Sequence, residues 1–185
     1  RVCRLPFRRI LCTSVMSQSP SPLDASRLVI HKSDSLRQCP PVKDIVFGRT
    51  FTDHMLKIPW TAARGWGEPS IEPYGPLSLE PSSVVLHYAV TLFEGMKAYR
   101  DDHGKVRLFR PEKNMERMNR SASRICLPNF DETELLKLIK KLVQLDQHWV
   151  PSEPGYSMYI RPTLIGTEPS VSVTQTSEAL SVSYT

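Results

Sequence analysis

The chain has 185 residues, 40% of them hydrophobic, and a formal net charge of +5 at pH 7. This length gives room for one domain with a tail, and no apolar run approaches the roughly 20 residues that a membrane-spanning helix needs. Residues 1–40 carry seven basic and two acidic side chains, whereas the remainder carries 17 of each. The globular part is therefore neutral, which argues against nucleic acid as a partner, because a nucleic-acid-binding face needs Lys and Arg clustered on the fold.

The N-terminal stretch has the composition of a targeting segment. No acid precedes Asp24, and arginines alternate there with serines and apolar residues. Arg-rich, acid-poor segments of this kind are typical of mitochondrial transit peptides. Residues 1–41 are therefore predicted to form a disordered arm that acts as a transit peptide, with a plain disordered tail as the alternative. Translation from Met16 would instead give a cytoplasmic product.

The four cysteines do not predict a disulfide framework or a metal site. They are Cys3, Cys12, Cys39 and Cys126. None forms a CxxC pair or has the spacing of zinc ligands, and three lie in or near the arm. Cys126 is interpreted as a small buried apolar side chain.

The first part of the domain is predicted to contain short strands and one helix. DIVFG at 44–48 and FTDHMLKIPW at 51–60 have the apolar pattern of strands around a Gly-Arg turn. The Gly- and Pro-rich stretch 63–83 indicates a long loop. Apolar residues at helical spacing between 81 and 95 predict a helix that ends at a glycine.

The second part of the domain alternates strands and helices. Strands are predicted over 96–100, 105–110, 156–166 and 177–185, and helices after Pro111 and after Asp131, which with Glu134 has the spacing of a capping box. Pro162 indicates that its strand is an edge strand or carries a bulge. Because these elements follow no strict βαβ rhythm, the predicted class is α+β with a mainly antiparallel sheet and flanking helices.

Three motifs in order carry a family resemblance. They are LHYAVTLFEGMKAYR at 86–100, VRLFRPEKNMERM at 106–118 and YSMYIRPTLIGTEPS at 156–170. Together they resemble the N-terminal half of the branched-chain amino acid aminotransferases, which are fold-type IV pyridoxal-phosphate enzymes. The resemblance implies that residues 42–170 form the small N-terminal domain of such an enzyme. Residues 171–185 would then begin a truncated connection to a second domain.

The resemblance also implies a function. The intact protein is expected to be a mitochondrial homodimer that binds pyridoxal 5'-phosphate. It would transfer the amino group of leucine, isoleucine or valine to 2-oxoglutarate, giving a branched 2-oxo acid and glutamate. Two alternatives stay open: a non-catalytic truncated isoform that dimerises, and a fold-type IV enzyme with D-amino acid or lyase chemistry.

No residue of this chain is assigned a catalytic role. In the family, the Schiff-base lysine lies in the second domain, beyond the end of this chain, so the fragment by itself is expected to be inactive. Lys97 is rejected for that role because the matching family residue is only structural. Arg117 is the candidate for cofactor binding, since a guanidinium fork matches phosphate geometry and the matching family arginine contacts the cofactor phosphate. The alternative interpretation is that Arg117 is an ordinary arginine on the surface of a helix.

The substrate candidates come from several motifs. Tyr159 and Arg161 are two apart on a strand, so they share a face and could meet a carboxylate. The remaining candidates are Phe47, Tyr88, Phe93, Val171 and Val173. The family match places the three aromatic residues of this set in an apolar substrate pocket and the two valines on a loop that reaches the partner subunit's pocket. Ser172 departs from the glycine that the family usually has in this loop.

Overall fold

A computed structural model describes residues 20–185, so the predictions on residues 1–19, including the start at Met16, lie outside the described residues. The strands are β1 (Val29–Ile30), β2 (His54–Thr61), β3 (Gly65–Trp66), β4 (Ser70–Pro73), β5 (Thr91–Phe93), β6 (Met96–Arg100), β7 (Val106–Leu108), β8 (Met158–Gly166) and β9 (Glu178–Tyr184). The α-helices are α1 (Val84–Tyr88), α2 (Pro111–Arg124) and α3 (Glu132–Leu145).

All of these strands belong to one sheet. Its order is β1-β4-β2-β9-β8-β6-β7, with β3 paired to β2 and β5 paired to β8. Every strand pair is antiparallel except β1 with β4. The predicted α+β class with a mainly antiparallel sheet is confirmed.

The long strand β8 separates the two faces of the sheet. Met158, Ile160 and Leu164 alternate along it and are buried, whereas Tyr159 and Arg161 point to the other face and are partly exposed. The buried set joins the apolar sides of α2 and α3 in the core, which includes Leu56, Ile58, Met115, Met118, Leu138, Ile139 and Leu142. One face is therefore covered by helices and the other is left open.

Both longer helices begin where the sequence predicts. Pro111 is the first residue of α2, where a missing N–H costs no hydrogen bond. The side chain of Asp131 caps α3 by accepting N–H bonds from Thr133 and Glu134. Glu134 does not close the capping box, because its Oε2 accepts the backbone N–H of Ala25 at 2.7 Å instead.

Three local predictions are wrong. Residues 44–48 form no strand: a 3-10 turn ends at Asp44 and a tight turn follows. The predicted loop at 63–83 contains β3, which forms a tight hairpin with the end of β2, and β4, which pairs with the start of β2 and with β1. The predicted helix at 81–95 ends early, because Ala89 adopts a left-handed conformation with φ 52° and β5 begins two residues later.

Pro162 does not mark an edge strand. It lies inside β8, which has β9 on one side and β5 and β6 on the other. On that second side the neighbour changes at this point: residues 158–160 pair with β6 and residues 163–165 pair with β5. The proline therefore sits where the ladder to β5 and β6 is interrupted.

The structure differs from the predicted domain boundaries at both ends. Within the arm predicted at 1–41, the described part packs on the domain: Leu23 is buried, β1 pairs with β4, and the N–H of Arg37 donates to Asp53 at 2.8 Å. Such anchors are few and join distant residues, so local composition does not show them. Residues 171–185, predicted as a connection, contain β9, which lies in the middle of the sheet between β2 and β8.

Three observations on residues 20–185 bear on the other predictions. No helix there is long and apolar enough to cross a membrane. No group of three or more His, Cys, Asp or Glu side chains within these residues is placed to hold a metal ion. Cys126, predicted to be buried, is exposed, because it follows the end of α2 in a left-handed conformation with φ 57°.

Candidate functional site

Four of the predicted site residues meet on the open face of the sheet. The guanidinium carbon of Arg161 lies 4.1 Å from the ring centroid of Phe93, and Arg161 Nη2 donates to the hydroxyl of Tyr159 at 3.0 Å. The ring of Phe47 packs edge-on against Tyr159, with centroids 5.3 Å apart. The cation of Arg161 therefore lies against the rings of Phe93 and Tyr159, and the exposed ring of Phe47 packs on the Tyr159 ring.

A cavity of about 470 Å³ opens beside this cluster. Its wall includes Phe47, Tyr159 and Arg161 from the predicted site, together with Tyr184 and Thr185, which the sequence analysis did not single out. The wall is largely apolar, and a charged guanidinium lies at its edge. Such a combination suits a small ligand with one anionic and one apolar end.

Arg117 lies at another part of the site, on α2. Its guanidinium makes two bonds with the carboxylate of Glu94, Nε to Oε1 and Nη2 to Oε2, each 2.7 Å long. The side chain of Glu94 is 4% exposed and that of Arg117 is 53% exposed. The pair therefore has a buried acidic half and an accessible basic half.

The carboxylate of Glu94 is fully occupied by donors. Besides Arg117, the side-chain amide of Asn114 donates to Oε2 at 3.0 Å, and the N–H of Gly95 donates to the same oxygen at 3.3 Å. Burial raises the pKa of Glu94, but the bonds from Arg117 and Asn114 outweigh it and hold the pKa below its usual range. The same pairing raises the pKa of Arg117. Both groups are therefore charged at neutral pH.

Gly95 connects this ion pair to the aromatic cluster. A Cβ atom at this position would lie 2.1 Å from the hydroxyl oxygen of Tyr159, so only glycine fits without a shift. The carbonyl of Gly95 also accepts a bond from Asn114 at 3.0 Å. Arg117 and Tyr159 thus belong to one connected arrangement, although no direct bond joins them.

The remaining predicted residues lie elsewhere. The hydroxyl of Tyr88 donates to the carbonyl of Val171, which ties the loop after β8 to the end of α1. Val171 and Val173 are exposed on that loop. Neither valine nor Tyr88 lines the cavity, so within residues 20–185 the structure does not bring them to the Arg161 cluster. The predicted substrate-binding roles of all these residues stay predictions.

Glu94 is the site residue that the sequence analysis missed. It is a lone acid in the run TLFEGM, between residues that were assigned to an apolar wall and a helix end. A carboxylate in an apolar stretch is costly to bury without a partner, so its position in this run was the signal that the sequence offered. The partner is 23 residues away, and local patterns do not indicate which arginine supplies it.

Comparison with known proteins places this arrangement in a family. A family model described as amino-transferase class IV matches residues 91–185. The chain belongs to the class IV aminotransferases. The match covers β5 to β9 with α2 and α3 between them, and it includes the Glu94–Arg117 pair and, from the Arg161 cluster, Phe93, Tyr159 and Arg161 but not Phe47.

Individual relatives support the predicted resemblance to branched-chain aminotransferases. The mitochondrial branched-chain-amino-acid aminotransferase of Saccharomyces cerevisiae is 56% identical over 160 residues, which make up 86% of this class IV aminotransferase chain and 41% of the yeast protein. The cytosolic enzyme of Mus musculus is 54% identical over 156 residues, 84% of this chain and 40% of the mouse protein. The resemblance is confirmed, and the chain spans about two fifths of the length of these relatives.

Solved structures show the same fold. A branched-chain amino acid aminotransferase from Escherichia coli has a TM-score of 0.51 and 20% identity, and the match covers 70% of this chain and 40% of that one. A branched-chain aminotransferase from Thermoproteus uzoniensis has a TM-score of 0.50 and 24% identity, with 69% and 40% covered. The predicted fold-type IV small-domain architecture is therefore confirmed.

Proposed function

We propose that this chain forms the small domain of a pyridoxal-phosphate-dependent branched-chain amino acid aminotransferase. The intact enzyme would transfer the amino group of leucine, isoleucine or valine to 2-oxoglutarate. The observation that carries the proposal is the cluster of Arg161 with Tyr159, Phe47 and Phe93 at the cavity edge. An amino acid with an aliphatic side chain needs both a cationic partner and an apolar wall, and this cluster offers both. The names of the relatives that share more than half of their aligned residues support it.

Arg117 is the residue that would hold the cofactor through its phosphate. Two of its five N–H groups are used by Glu94, and no acceptor within residues 20–185 is recorded for Nη1. A half-exposed guanidinium with free donors fits a phosphate, which accepts charge-assisted hydrogen bonds. When bound, pyridoxal phosphate supplies the electron sink for transamination, and the protein supplies binding and orientation.

Tyr159 and Arg161 would hold the substrate carboxylate. Arg161 Nε is buried and has no acceptor within the described part of the chain, and a buried donor without a partner calls for one that residues 20–185 do not supply. The hydroxyl of Tyr159 accepts a bond from Arg161 Nη2, which leaves its own proton free to be donated. Phe47 and Phe93 would exclude water from the aliphatic side chain, and such a wall distinguishes ligands by about 1–3 kcal/mol per methylene.

The decisive experiment compares Arg117→Ala with Tyr159→Phe in the intact enzyme. Charge-assisted bonds contribute roughly 1.5–3 kcal/mol each, so Arg117→Ala is expected to weaken pyridoxal phosphate binding by about 10- to 100-fold. Tyr159→Phe removes one hydroxyl from the substrate site. It is expected to raise the KM for L-leucine and to leave cofactor absorbance unchanged.

Arg120→Ala is the matched control, because Arg120 is exposed on the same helix and makes no recorded side-chain bond within residues 20–185. Cofactor affinity should be unchanged in that variant. If Arg117→Ala retains the cofactor like Arg120→Ala, the phosphate role of Arg117 is wrong. A preference of the intact enzyme for D-alanine over L-leucine would instead favour the D-amino acid alternative.

We also propose that the enzyme is a homodimer in the mitochondrial matrix. Tyr88, Phe93 and Val171 are exposed aromatic and apolar side chains near the end of α1, β5 and the loop after β8, and a second copy would cover them. The Arg-rich segment before Asp24 supports import. Residues 1–41 fused to a fluorescent reporter should direct it to mitochondria. A diffuse signal would support translation from Met16 and a cytoplasmic enzyme, consistent with the cytosolic relatives.

A further inference from the structure

The two halves of the Glu94–Arg117 pair lie in different environments. The carboxylate is 4% exposed and the guanidinium is 53% exposed, yet both bonds between them are 2.7 Å long. Desolvation of the Glu94 carboxylate offsets much of its attraction to Arg117, so the pair is weak evidence for a stabilising role. A gain in stability therefore does not explain why a charged acid stands at this position.

The geometry of the pair fixes the orientation of Arg117. Glu94 engages Nε and Nη2, which are one edge of the planar guanidinium, and this two-point contact prevents the group from rotating. Asn114 in turn holds Glu94 by donating to its Oε2 while it also donates to the carbonyl of Gly95. The Nη1 side of Arg117 thus has a defined direction before any ligand binds.

We propose that Glu94 is a positioning residue that orients the guanidinium of Arg117 for the phosphate of the cofactor. This inference rests on the proposed function, in which Arg117 holds that phosphate. Glu94 itself would touch neither cofactor nor substrate. Its negative charge lowers the net attraction of the pair for a phosphate, so its contribution would come from orientation and not from charge.

The first test measures the dissociation constant of pyridoxal phosphate for the intact enzyme carrying Glu94→Gln, together with the unfolding midpoint of the apoprotein. The amide places an NH₂ group against donors of Arg117 and Asn114, so the fork loses one of its two anchors. Loss of a partner that orients a binding group typically costs 10–100-fold in affinity at metal sites. We expect cofactor affinity to fall by about 10-fold. Glu116→Gln on the exposed side of α2 is the control and should leave it unchanged.

The second test repeats Glu94→Gln in an Arg117→Lys background, where the expected sign reverses. A lysine ammonium is a single point charge, so it can pair with Glu94 or with the phosphate but does not fix both as a fork does. Arg117→Lys alone should therefore bind the cofactor weakly. Adding Glu94→Gln releases the ammonium from its buried partner and should tighten cofactor binding relative to Arg117→Lys.

The outcomes separate this inference from the proposed function. Opposite effects of Glu94→Gln in the parent enzyme and in the Arg117→Lys background support positioning. The same loss of affinity in both, or a lower unfolding midpoint with an unchanged dissociation constant, means that Glu94 is only structural and overturns the inference. If Arg117→Ala itself leaves cofactor affinity unchanged, the phosphate role fails, and the positioning role fails with it. If Arg117→Ala weakens binding and Glu94→Gln does not, only the positioning role is overturned.

Discussion

Two buried carboxylates, Asp146 and Glu94, are held in contrasting ways. Asp146 and His54 are both buried, and Asp146 accepts the ring Nδ1–H of His54 at 2.6 Å and its backbone N–H at 3.0 Å. The other ring nitrogen, Nε2, accepts the N–H of Ser33 at 3.0 Å, so the ring proton must be on Nδ1. Glu94 is also buried, but its partner Arg117 is half exposed, and its Nη1 has no recorded acceptor within residues 20–185.

The two pairs differ in whether the base keeps hydrogen-bond donors that the described residues do not use. In the Asp146–His54 pair both ring nitrogens have partners, and the chain of bonds fastens the segment around Ser33 to β2 and to the end of α3. Nothing remains there to bind a ligand. In the Glu94–Arg117 pair the acid has donors on both oxygens, whereas Nη1 of Arg117 has no recorded acceptor within residues 20–185, which fits the proposed role of Arg117 as a phosphate ligand.

The largest expected effect on stability comes from Asp146→Ala, which breaks the Asp146–His54 pair. The side-chain and backbone N–H groups of His54 would both lose their acceptor in a buried place, each at a cost of about 1–3 kcal/mol. We expect the free energy of unfolding to fall by about 3–5 kcal/mol, as when one member of a buried pair is removed. Urea denaturation followed by circular dichroism measures this loss.

Glu80→Ala provides the control for that measurement, because Glu80 is an exposed acid whose side chain makes no recorded bond within residues 20–185. Surface changes of this kind usually stay within about 0.5 kcal/mol. A similar small effect for Asp146→Ala would show that the pair does not hold the fold, and the contrast with Glu94 would disappear.

Local sequence patterns predicted much of this fold because the relevant signals are short-range. Alternating residues in β8 and the capping side chain of Asp131 indicate a strand and a helix start within a few positions. The failures share one cause. The strands at 65–66 and 70–73 exist because β2 pairs with them, and the helix after residue 83 ends early because β5 pairs with β8. The pairings of β4 with β2 and of β5 with β8 join residues well apart in the sequence, and β3 is a very short strand, so intrinsic propensity does not reveal these pairings.

The site was predictable to the extent that the motifs named its residues. The predicted residues Phe47, from the run 44–48, and Phe93, Tyr159 and Arg161, from the motifs, do come together, although the sequence alone gives no distances between them. Glu94 was missed because its importance lies in its partner and its burial, which depend on how α2 packs beside β5. The hydrogen bond between Tyr88 and the loop after β8 was also missed, because it joins residues far apart in the sequence.

A smaller loss of stability is expected from Gly95→Ala, which tests the close contact between Gly95 and Tyr159 beside the Glu94–Arg117 pair. The added methyl group would meet the Tyr159 hydroxyl oxygen at 2.1 Å and its ring carbon Cζ at 2.8 Å. Because Phe47 and Arg161 hold the ring from other sides, Tyr159 must turn away or the backbone beside Glu94 must shift. Overpacking of this kind costs about 1–3 kcal/mol, so the free energy of unfolding should fall by less than in Asp146→Ala.

The matched control is Gly75→Ala, since the nearest atom to a Cβ there is 3.9 Å away and stability should hardly change. Tyrosine absorbance and the KM for L-leucine of the intact enzyme report on Tyr159. Both should change in Gly95→Ala and stay constant in Gly75→Ala, because only the first substitution displaces the phenol from Arg161. If Gly95→Ala were as stable as the parent and its KM for L-leucine were unaltered, the close contact would not position Tyr159. The Tyr159 site would then tolerate a change in this contact, whereas the fold is expected not to tolerate loss of the Asp146–His54 pair.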